Sequence, residues 1–316
     1  MGKRTSRKGS LAFWHRARAN RIIPRVRSWP LEQAGPLGFP AFKAGMTHGV
    51  VVEDSASPLK GQEVVWPLTV LAAPPIFVYA ITLWEKTPLG LKALAQISSK
   101  SHPKQLKRAL TPVKKEKSLE QELKKFHGRT VQVRLLCCTQ PWKIGLKHKP
   151  DVFEIALGGN VEAQSSSATN LLGKEIHAKD VLADGEFVDA LAVTKGKGWQ
   201  GVVKRHGAAI NIRKSTQSRR HGGSIGPERQ AKVMYTVPRA GQMGFHKRTD
   251  RSKRVVKVSD DFKSLGEFSN YGVVKSTFII VKGSVPGPAK RFVFLRKQLY
   301  QHAKSRTVEV KQFPAA

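Results

Sequence analysis

Apolar residues along this chain recur mostly in short runs that are rich in valine, isoleucine and aromatic residues and are bounded by glycine and proline. Runs of this composition predict β-strands rather than helices. The longest run, 64–84, is interrupted by Pro67, Pro74 and Pro75, so it predicts strands and turns and not a membrane-spanning helix. The predicted strands lie within 45–54, 64–84, 130–138, 152–157, 186–194, 271–281 and 291–296.

Helical spacing of apolar residues is confined to a few segments. The pattern turns helical from 89 to about 126, where Ser118 is placed to cap a helix that reaches Phe126. Short helices are predicted near 168–172 and 178–182. Several strands separated by turns and irregular insertions favour a closed β-barrel over a βαβ sheet.

Between 195 and 260 glycine and basic residues dominate, and little helical or strand periodicity remains. A connection of this length inside a compact domain is unusual, so we expect it to be functional, disordered, or ordered only by a partner. Residues Gly196–Gly201 match GxGxxG, but a dinucleotide site requires a following helix and an acid about 20 residues later. The sequence after Gly201 has no helical pattern and then turns basic. We therefore interpret this backbone as one that approaches phosphates closely, with lysines that neutralise them.

The charge of the chain is concentrated in three segments. The 316 residues carry 56 Lys+Arg and 22 Asp+Glu, a net charge of +34. Segments 1–29, 100–129 and 195–260 carry +9, +7 and +14, so the remainder is nearly neutral at +4. A near-neutral body can bury a core, whereas basic segments repel themselves and need a polyanion such as nucleic acid.

Two of the basic segments, 1–29 and 100–129, differ in how clearly they indicate RNA binding. Segment 1–29, the N-terminal arm, contains no acid and includes Trp14 and Trp29, whose rings can stack on bases or pack in RNA grooves. Segment 100–129 is ambiguous, because its lysines are as consistent with a solvated helix face as with a peripheral contact to phosphates.

Motifs for other chemistries are weak or absent in the sequence. Cys137 and Cys138 are adjacent, which argues against a disulfide framework or a thiolate zinc site and fits a reducing compartment. No HExxH or Walker lysine occurs, and no apolar signal-peptide core follows the basic start. Glu228, Asp250 and Asp260 are far apart in sequence, whereas two-metal nuclease chemistry requires clustered carboxylates. We expect no catalytic residue, metal or cofactor, although a carboxylate cluster formed in three dimensions stays open.

Several ordered motifs resemble one family, the universal large-subunit ribosomal protein three in its archaeal and eukaryotic form. The most specific is AVTKGKGWQGVVKR at 192–205, and VPRAGQMGFHKRT follows at 237–249. The others are LGF at 37–39, KAGMTH at 43–48, TQPW at 139–142 and KGSVPG at 282–287. The resemblance covers nearly the whole chain.

The resemblance implies a mainly β fold, a closed barrel like that of translation factors, with a helical insertion and long basic extensions that penetrate rRNA. It implies a structural, non-enzymatic protein of the cytoplasmic ribosome that supports early subunit assembly and extends its central loop toward the peptidyl-transferase centre. The partners implied are large-subunit rRNA and neighbouring large-subunit proteins, with no membrane and no small-molecule substrate. A non-ribosomal basic nucleic-acid-binding protein or a nuclease is the alternative.

The expected organisation follows these motifs and the charge pattern. It comprises a basic N-terminal extension (1–44), a first barrel segment (45–95), a basic helical insertion (96–129), a second barrel segment with short helices (130–194), the central loop (195–260), barrel closing strands (261–299) and a C-terminal tail (300–316).

The residues expected to bind RNA are basic, aromatic or amide side chains of the N-terminal arm and the central loop. They are Lys3, Arg4, Arg7, Lys8, Trp14, Arg16, Arg18, Arg21, Arg25, Lys195, Lys197, Trp199, Lys204, Arg205, His206, Arg213, Lys214, Arg219, Arg220, His221, Arg229, Arg239, Gln242, His246, Lys247, Arg248, Arg251, Lys253 and Arg254. Tyr235 and Phe245 are further candidates for stacking or for packing the base of the loop. The chain departs from the family at the loop tip, where Glu228 replaces an aromatic residue, and we expect Glu228 to pair with Arg229 or another basic group, or to contact a base edge or an ion.

Overall fold

The computed structural model describes residues 16–111, 118–126, 128–215, 218–228, 231–260, 265–300 and 310–312. The chain divides into two compact units. One, the loop unit, combines Met1–Arg21 with Val193–Lys247, and the other, the sheet unit, combines Ile22–Ala192 with Arg248–Ala316.

Strands make up most of the regular structure in the described residues of the chain. They are β1 (Gly35–Pro36), β2 (Gly38–Val52), β3 (Glu63–Ala72), β4 (Ile76–Thr87), β5 (Gly90–Ser98), β6 (Gln132–Thr139), β7 (Val152–Gly158), β8 (Glu175–Ile176), β9 (Phe187–Val193), β10 (Trp199–Gln200), β11 (Gly241–Gln242), β12 (Lys247–Ser259), β13 (Glu267–Phe268), β14 (Gly272–Val273), β15 (Phe278–Lys282), β16 (Phe292–Lys297) and β17 (Val310–Gln312). The α-helices are α1 (Leu119–Lys125), α2 (Val161–Leu171) and α3 (Val202–His206), and 3-10 turns occupy Lys104–Arg108, Pro141–Ile144 and Ala178–Asp180.

Two large sheets form the sheet unit. Seven strands pair in the order β16-β9-β12-β15-β3-β2-β17, and β16 also pairs with β2. Phe294 of β16 is therefore opposite Leu191 on one side and Pro40 on the other. The second sheet has the order β1-β7-β6-β4-β5, with β8 paired to β4.

The main core is built by the alternation of side chains along these strands, and β-bulges change which face a residue enters. Phe42 belongs to the main apolar cluster, whereas Ala44 belongs to a second cluster on the other side of the sheet. The register of β2 against β3 shifts between Lys43 and Gly45, as an extra residue in one strand requires. Cys137 and Cys138 likewise enter different clusters because neighbouring strand residues point to opposite faces.

Most predicted strands are confirmed. The runs at 130–138, 152–157, 186–194 and 291–296 correspond to β6, β7, β9 and β16, and 64–84 corresponds to β3 and β4 with a break at its prolines. The run at 271–281 gives only the short β14 and the later β15.

The helical prediction from 89 onwards is wrong at its start. Residues Gly90–Ser98 form β5, an antiparallel partner of β4. Gly90 adopts φ +121°, which closes a tight hairpin, so the pairing offered by β4 overrides the local helical spacing. Ser118 does precede α1, but its side chain makes no capping hydrogen bond there.

Three predicted extensions contain more regular structure than the sequence suggested. The N-terminal extension was expected to reach 44, yet β2 begins at Gly38 and both Leu37 and Phe39 are fully buried. Residues Lys247–Ser259, expected as loop, form β12, whose RVVKV end pairs with β15. The C-terminal tail contains a short strand, because Val310–Gln312 pairs with β2.

Trp29 has a different role from the one the sequence suggested. It was expected among the aromatic residues available to RNA, yet only 8% of it is exposed. Its ring packs edge-on against Phe294 at 5.7 Å between centroids. Trp29, the last residue of the N-terminal arm, is therefore part of the core of the sheet unit.

Candidate nucleic-acid interface

The central loop begins and ends on two chain segments that are bonded to each other. The Thr194 amide donates to the His246 carbonyl at 3.0 Å, and the His246 amide donates to Thr194 Oγ1 at 3.1 Å. Lys197 N donates to Met243 O and Met243 N donates to Gly198 O, both at 2.9 Å. Together with the antiparallel pair of β10 and β11, these bonds form a closed base from which the loop extends.

Two consecutive residues in this base adopt left-handed backbone conformations. Gly244 has φ +73° and Phe245 has φ +52°. A Cβ at Gly244 would lie 2.1 Å from the carbonyl oxygen of Lys195, so glycine is required there. A bulky residue such as Phe245 rarely adopts this conformation, and the surrounding hydrogen bonds hold it in place.

The N-terminal arm docks on the same base. Ala19 N donates to Phe245 O at 2.8 Å, and the ring Nδ1 of His246 lies 2.9 Å from the carbonyl oxygen of Ala17. His246 is buried, so its ring holds the two chain segments of the loop unit together. The arm residues 16–20 thus have a defined position before any partner is bound.

A short helix follows the glycine motif, contrary to the expectation that none would. α3 ends at His206 and is capped by Gly207, which has φ +71°. It has five residues, and β10 before it pairs antiparallel to β11, so the arrangement lacks the parallel strand–helix–strand unit of a dinucleotide site.

Arg205 links α3 to the returning chain. Its Nε donates to Gln242 O at 3.1 Å and one terminal nitrogen donates to Arg239 O at 2.9 Å. Burial lowers the pKa of Arg205, and the nearby charge of Arg16 lowers it further. Burial, followed by the charges of Arg205 and Arg16, also lowers the pKa of His206. The neutral form of His206 is therefore favoured. The charges of Arg16 and Arg205 lie close together at the base of the loop.

An open cleft of about 680 Å³ lies in the loop unit. Its lining residues are Arg18, Ala19, Asn20, Gly196, Gly198, Gln242 and Phe245. The Gln242 amide nitrogen donates to the carbonyls of Met243 and Gly244, which fixes the orientation of its Oε1 acceptor. The cleft therefore combines a cation, amide groups, exposed backbone and one aromatic ring.

Most of the candidate RNA-binding residues are exposed. Those exposed in the loop unit are Arg18, Arg21, Lys195, Lys197, Trp199, Lys204, Arg213, Lys214, Arg219, Arg220, His221, Arg239 and Lys247, and those in the sheet unit are Arg25, Arg248 and Arg251. Trp199 is 76% exposed and Tyr235 is 77% exposed, so both rings present their surfaces to solvent. Arg16 is half-buried.

A smaller group is engaged within the protein. Arg254 is buried, and both of its terminal nitrogens donate hydrogen bonds to the Asp54 carboxylate at 2.7 Å. Lys253 lies 2.9 Å from the Asp250 carboxylate, and the Arg251 guanidinium packs over the Tyr300 ring. These residues belong to β12, whereas the sequence placed them in the central loop.

Some candidates fall outside the described residues. These are Lys3, Arg4, Arg7, Lys8, Trp14 and Arg229. The expected pairing of Glu228 with Arg229 therefore also lies outside the described residues, and Glu228 itself is exposed.

Sequence reasoning missed two features of this unit. Asn20 and Ala19 line the cleft, but nothing in the sequence links them to residues about 180 to 225 positions away. The loop also exposes Ile212, Met234 and Ile225, and their irregular spacing gave no pattern to detect.

Other chemistries receive no support from the described residues. No group of three or more His, Cys, Asp or Glu side chains there is arranged to hold a metal ion. Within the same residues, no helix combines the length and apolar character needed to cross a membrane. Both cysteines are buried and reduced, and burial raises the pKa of Cys138 to about 12.

Comparison with known proteins identifies the family. The large ribosomal subunit protein uL3 of Methanococcus vannielii is 47% identical over 307 residues, which cover 94% of this chain and 92% of that protein. The uL3 proteins of Methanobrevibacter smithii and Methanothermobacter thermautotrophicus are each 42% identical, over 95% and 93% of this chain and 93% and 91% of their own lengths. The family model for ribosomal protein L3 matches residues 1–312. This chain therefore belongs to the ribosomal protein L3 family.

Proposed function

We propose that this protein is a structural constituent of the large ribosomal subunit and binds large-subunit rRNA through the loop unit. The family membership supports the assignment, and the observation that carries it is the loop unit itself. Exposed cations there extend from a base that is bonded at both ends and docked to the N-terminal arm. Acidic residues are rare in this unit, where Glu228 is the single one among its described residues. Such a surface matches the phosphate backbone of folded RNA.

The sheet unit serves as the anchor of this arrangement. In our proposal β2, β3, β15, β12, β9 and β16 form a closed six-stranded barrel. The pairing of β16 with both β9 and β2 supports this, because the first of these six strands then also pairs with the last. A closed barrel has no free edges, so it gives the basic segments a stable base.

The order of events follows from the charge. The loop unit carries many cations that repel one another in the free protein, and rRNA removes this repulsion. We infer that the central loop becomes ordered as it binds rRNA. Family membership supports two further parts of the proposal. The protein acts early in subunit assembly, and its central loop extends toward the peptidyl-transferase centre. The partners in this proposal are large-subunit rRNA and neighbouring large-subunit proteins, and the protein acts without catalysis.

Sedimentation of a native lysate tests the proposal. Retention of the chain with the large subunit after a high-salt wash is the expected result for a protein embedded in rRNA. Release at moderate salt would contradict it. Incubation of the purified chain with RNA and magnesium tests the nuclease alternative, which predicts cleavage products.

The salt dependence of binding gives a quantitative test. If the loop unit neutralises about ten phosphates, the log–log slope of affinity against salt is about −7 to −9. Filter binding of the full chain to transcribed large-subunit rRNA between low and moderate salt measures it. A slope near zero would show that phosphates are not the main contact.

A further inference from the structure

The cleft of the loop unit has features that phosphate neutralisation by itself does not require. It lies where residues 18–20 of the arm meet the two strands at the base of the loop. A surface that only neutralises phosphates needs exposed cations, and the loop has these elsewhere. The cleft adds a concave shape, two amide side chains and an aromatic ring.

We propose that this cleft receives one unstacked nucleotide of the rRNA. In this assignment Arg18 contacts the phosphate, the Phe245 ring supports the base, and the amides of Asn20 and Gln242 bond to the base edge. The inference rests on the proposed function, and it names the element of RNA that this region of the site recognises.

The chemistry of the lining favours a nucleotide. Proteins recognise RNA sequence mainly where bases are splayed out, stacked on aromatic rings and hydrogen-bonded along their edges. Among the described residues that line the cleft, none is acidic, and Arg18 supplies a positive charge. The cleft volume of about 680 Å³ lies in the range of small-molecule sites.

The glycines give the nucleotide access to the backbone. Gly198 has φ +64°, and a Cβ there would meet no atom within 4 Å, so its position borders open space. A Cβ at Gly196 would make ordinary contact with the Phe245 side chain at 3.6 Å. Since Gly196 and Phe245 both line the cleft, a larger side chain at Gly196 would lie against Phe245 and fill space assigned to the base.

The cleft is also held in shape before binding. Phe245 is fixed in its left-handed conformation by hydrogen bonds of its carbonyl to Ala19 N and of its amide to Lys195 O, at 2.8 and 3.3 Å. Gln242 is oriented by its bonds to neighbouring carbonyls. A site that is already ordered loses little entropy on binding, which favours recognition of a specific nucleotide.

The first test fills the cleft without changing the charge. Gly196→Leu adds a side chain against Phe245 in the cleft, and Ala209→Leu enlarges an exposed side chain of the same loop outside the cleft. We expect Gly196→Leu to bind transcribed large-subunit rRNA about five-fold more weakly or worse, which corresponds to the loss of one stacked base. Ala209→Leu is expected to bind as the parent does. Equal affinity of both variants would overturn the inference.

The second test removes the cation of the cleft. Arg18→Gln is compared with Lys60→Gln, which removes an equal charge from an exposed site of the sheet unit. Arg18→Gln should weaken binding several-fold more than Lys60→Gln. Because Arg18 is exposed, this variant keeps the inference testable if Gly196→Leu disturbs folding. Equal effects would overturn the inference, because Arg18 would then act only through the general field of the protein.

Ultraviolet crosslinking locates the contact directly. The full chain is irradiated with unmodified rRNA and digested, and the crosslinked residue is identified by mass spectrometry. We expect a nucleotide on Phe245 that is lost in Gly196→Leu and kept in Ala209→Leu. Normal rRNA binding with no crosslink in the cleft would overturn the inference and leave the proposed function intact. Failure of the parent chain to bind rRNA would overturn both.

Discussion

Breaking the buried ion pair between Asp189 and Arg296 should strongly destabilise the sheet unit. The two residues are directly opposite each other on β9 and β16. Their side chains are only 2% and 5% exposed, and the Asp189 carboxylate accepts a hydrogen bond from Arg296 at 2.5 Å. Arg296 also donates to Ser28 O and Oγ, and the other Asp189 oxygen accepts from Ser252 N. The pair therefore joins two strands, the end of the N-terminal arm and β12.

Asp189→Asn removes the negative charge with little change of shape. The Arg296 guanidinium would be left buried beside a neutral amide, with no carboxylate to balance its charge. Breaking a buried pair in this way typically costs about 3–5 kcal/mol of unfolding free energy. Typical domain stabilities are about 5–15 kcal/mol, so the variant should unfold at a much lower urea concentration.

Urea unfolding of the full chain, followed by circular dichroism in high salt, measures this change. The control is Glu175→Gln, which removes one partner of the half-exposed pair with Lys143 and should cost less than about 1 kcal/mol. Asp189→Leu combined with Arg296→Met should recover much of the loss, because an apolar pair leaves no buried charge. A loss below about 1 kcal/mol for Asp189→Asn would refute the reasoning, because a loss that small is typical of ion pairs that are exposed to water.

Three further outcomes test other regions of the structure. Because burial raises the pKa of Cys137 and Cys138, both thiols should resist a disulfide reagent at pH 8 in the folded protein and react at once in urea; rapid reaction without urea would contradict their burial. Deletion of 200–240 should leave the sheet unit with cooperative melting, whereas deletion of 200–255 removes most of β12 and should abolish it. Gly244→Ala places a methyl group against a carbonyl oxygen and should speed hydrogen exchange at the base of the loop, whereas unchanged exchange would show that the base tolerates it.

Local pattern predicted the strands well where both faces were apolar or regularly alternating. The runs that became β6, β7, β9 and β16 are of this kind, since buried strands require little beyond their own composition. Prediction failed for β5 and β12, which contain lysine, arginine and exposed positions. Those strands form because a neighbouring strand presents hydrogen-bonding groups, and that information is not local.

The candidate site shows the same division. Charge patterning identified the central loop and the arm, because a concentration of positive charge is visible in composition. It also assigned Arg254 and His246 to RNA, although one pairs with Asp54 and the other holds Ala17. Burial and distant partners distinguish such residues from exposed cations, and neither is visible in a linear sequence.

The sequence by itself determined that this protein is mainly β, strongly basic in defined segments, and a member of the ribosomal protein L3 family. These properties depend on composition, short-range periodicity and motifs, which are all local. Only the tertiary structure decided that Trp29 is a core residue, that residues 247–259 form a strand, and that the arm meets the loop at a cleft. Each of these depends on contacts between residues far apart in the chain, which form only when the whole chain has folded.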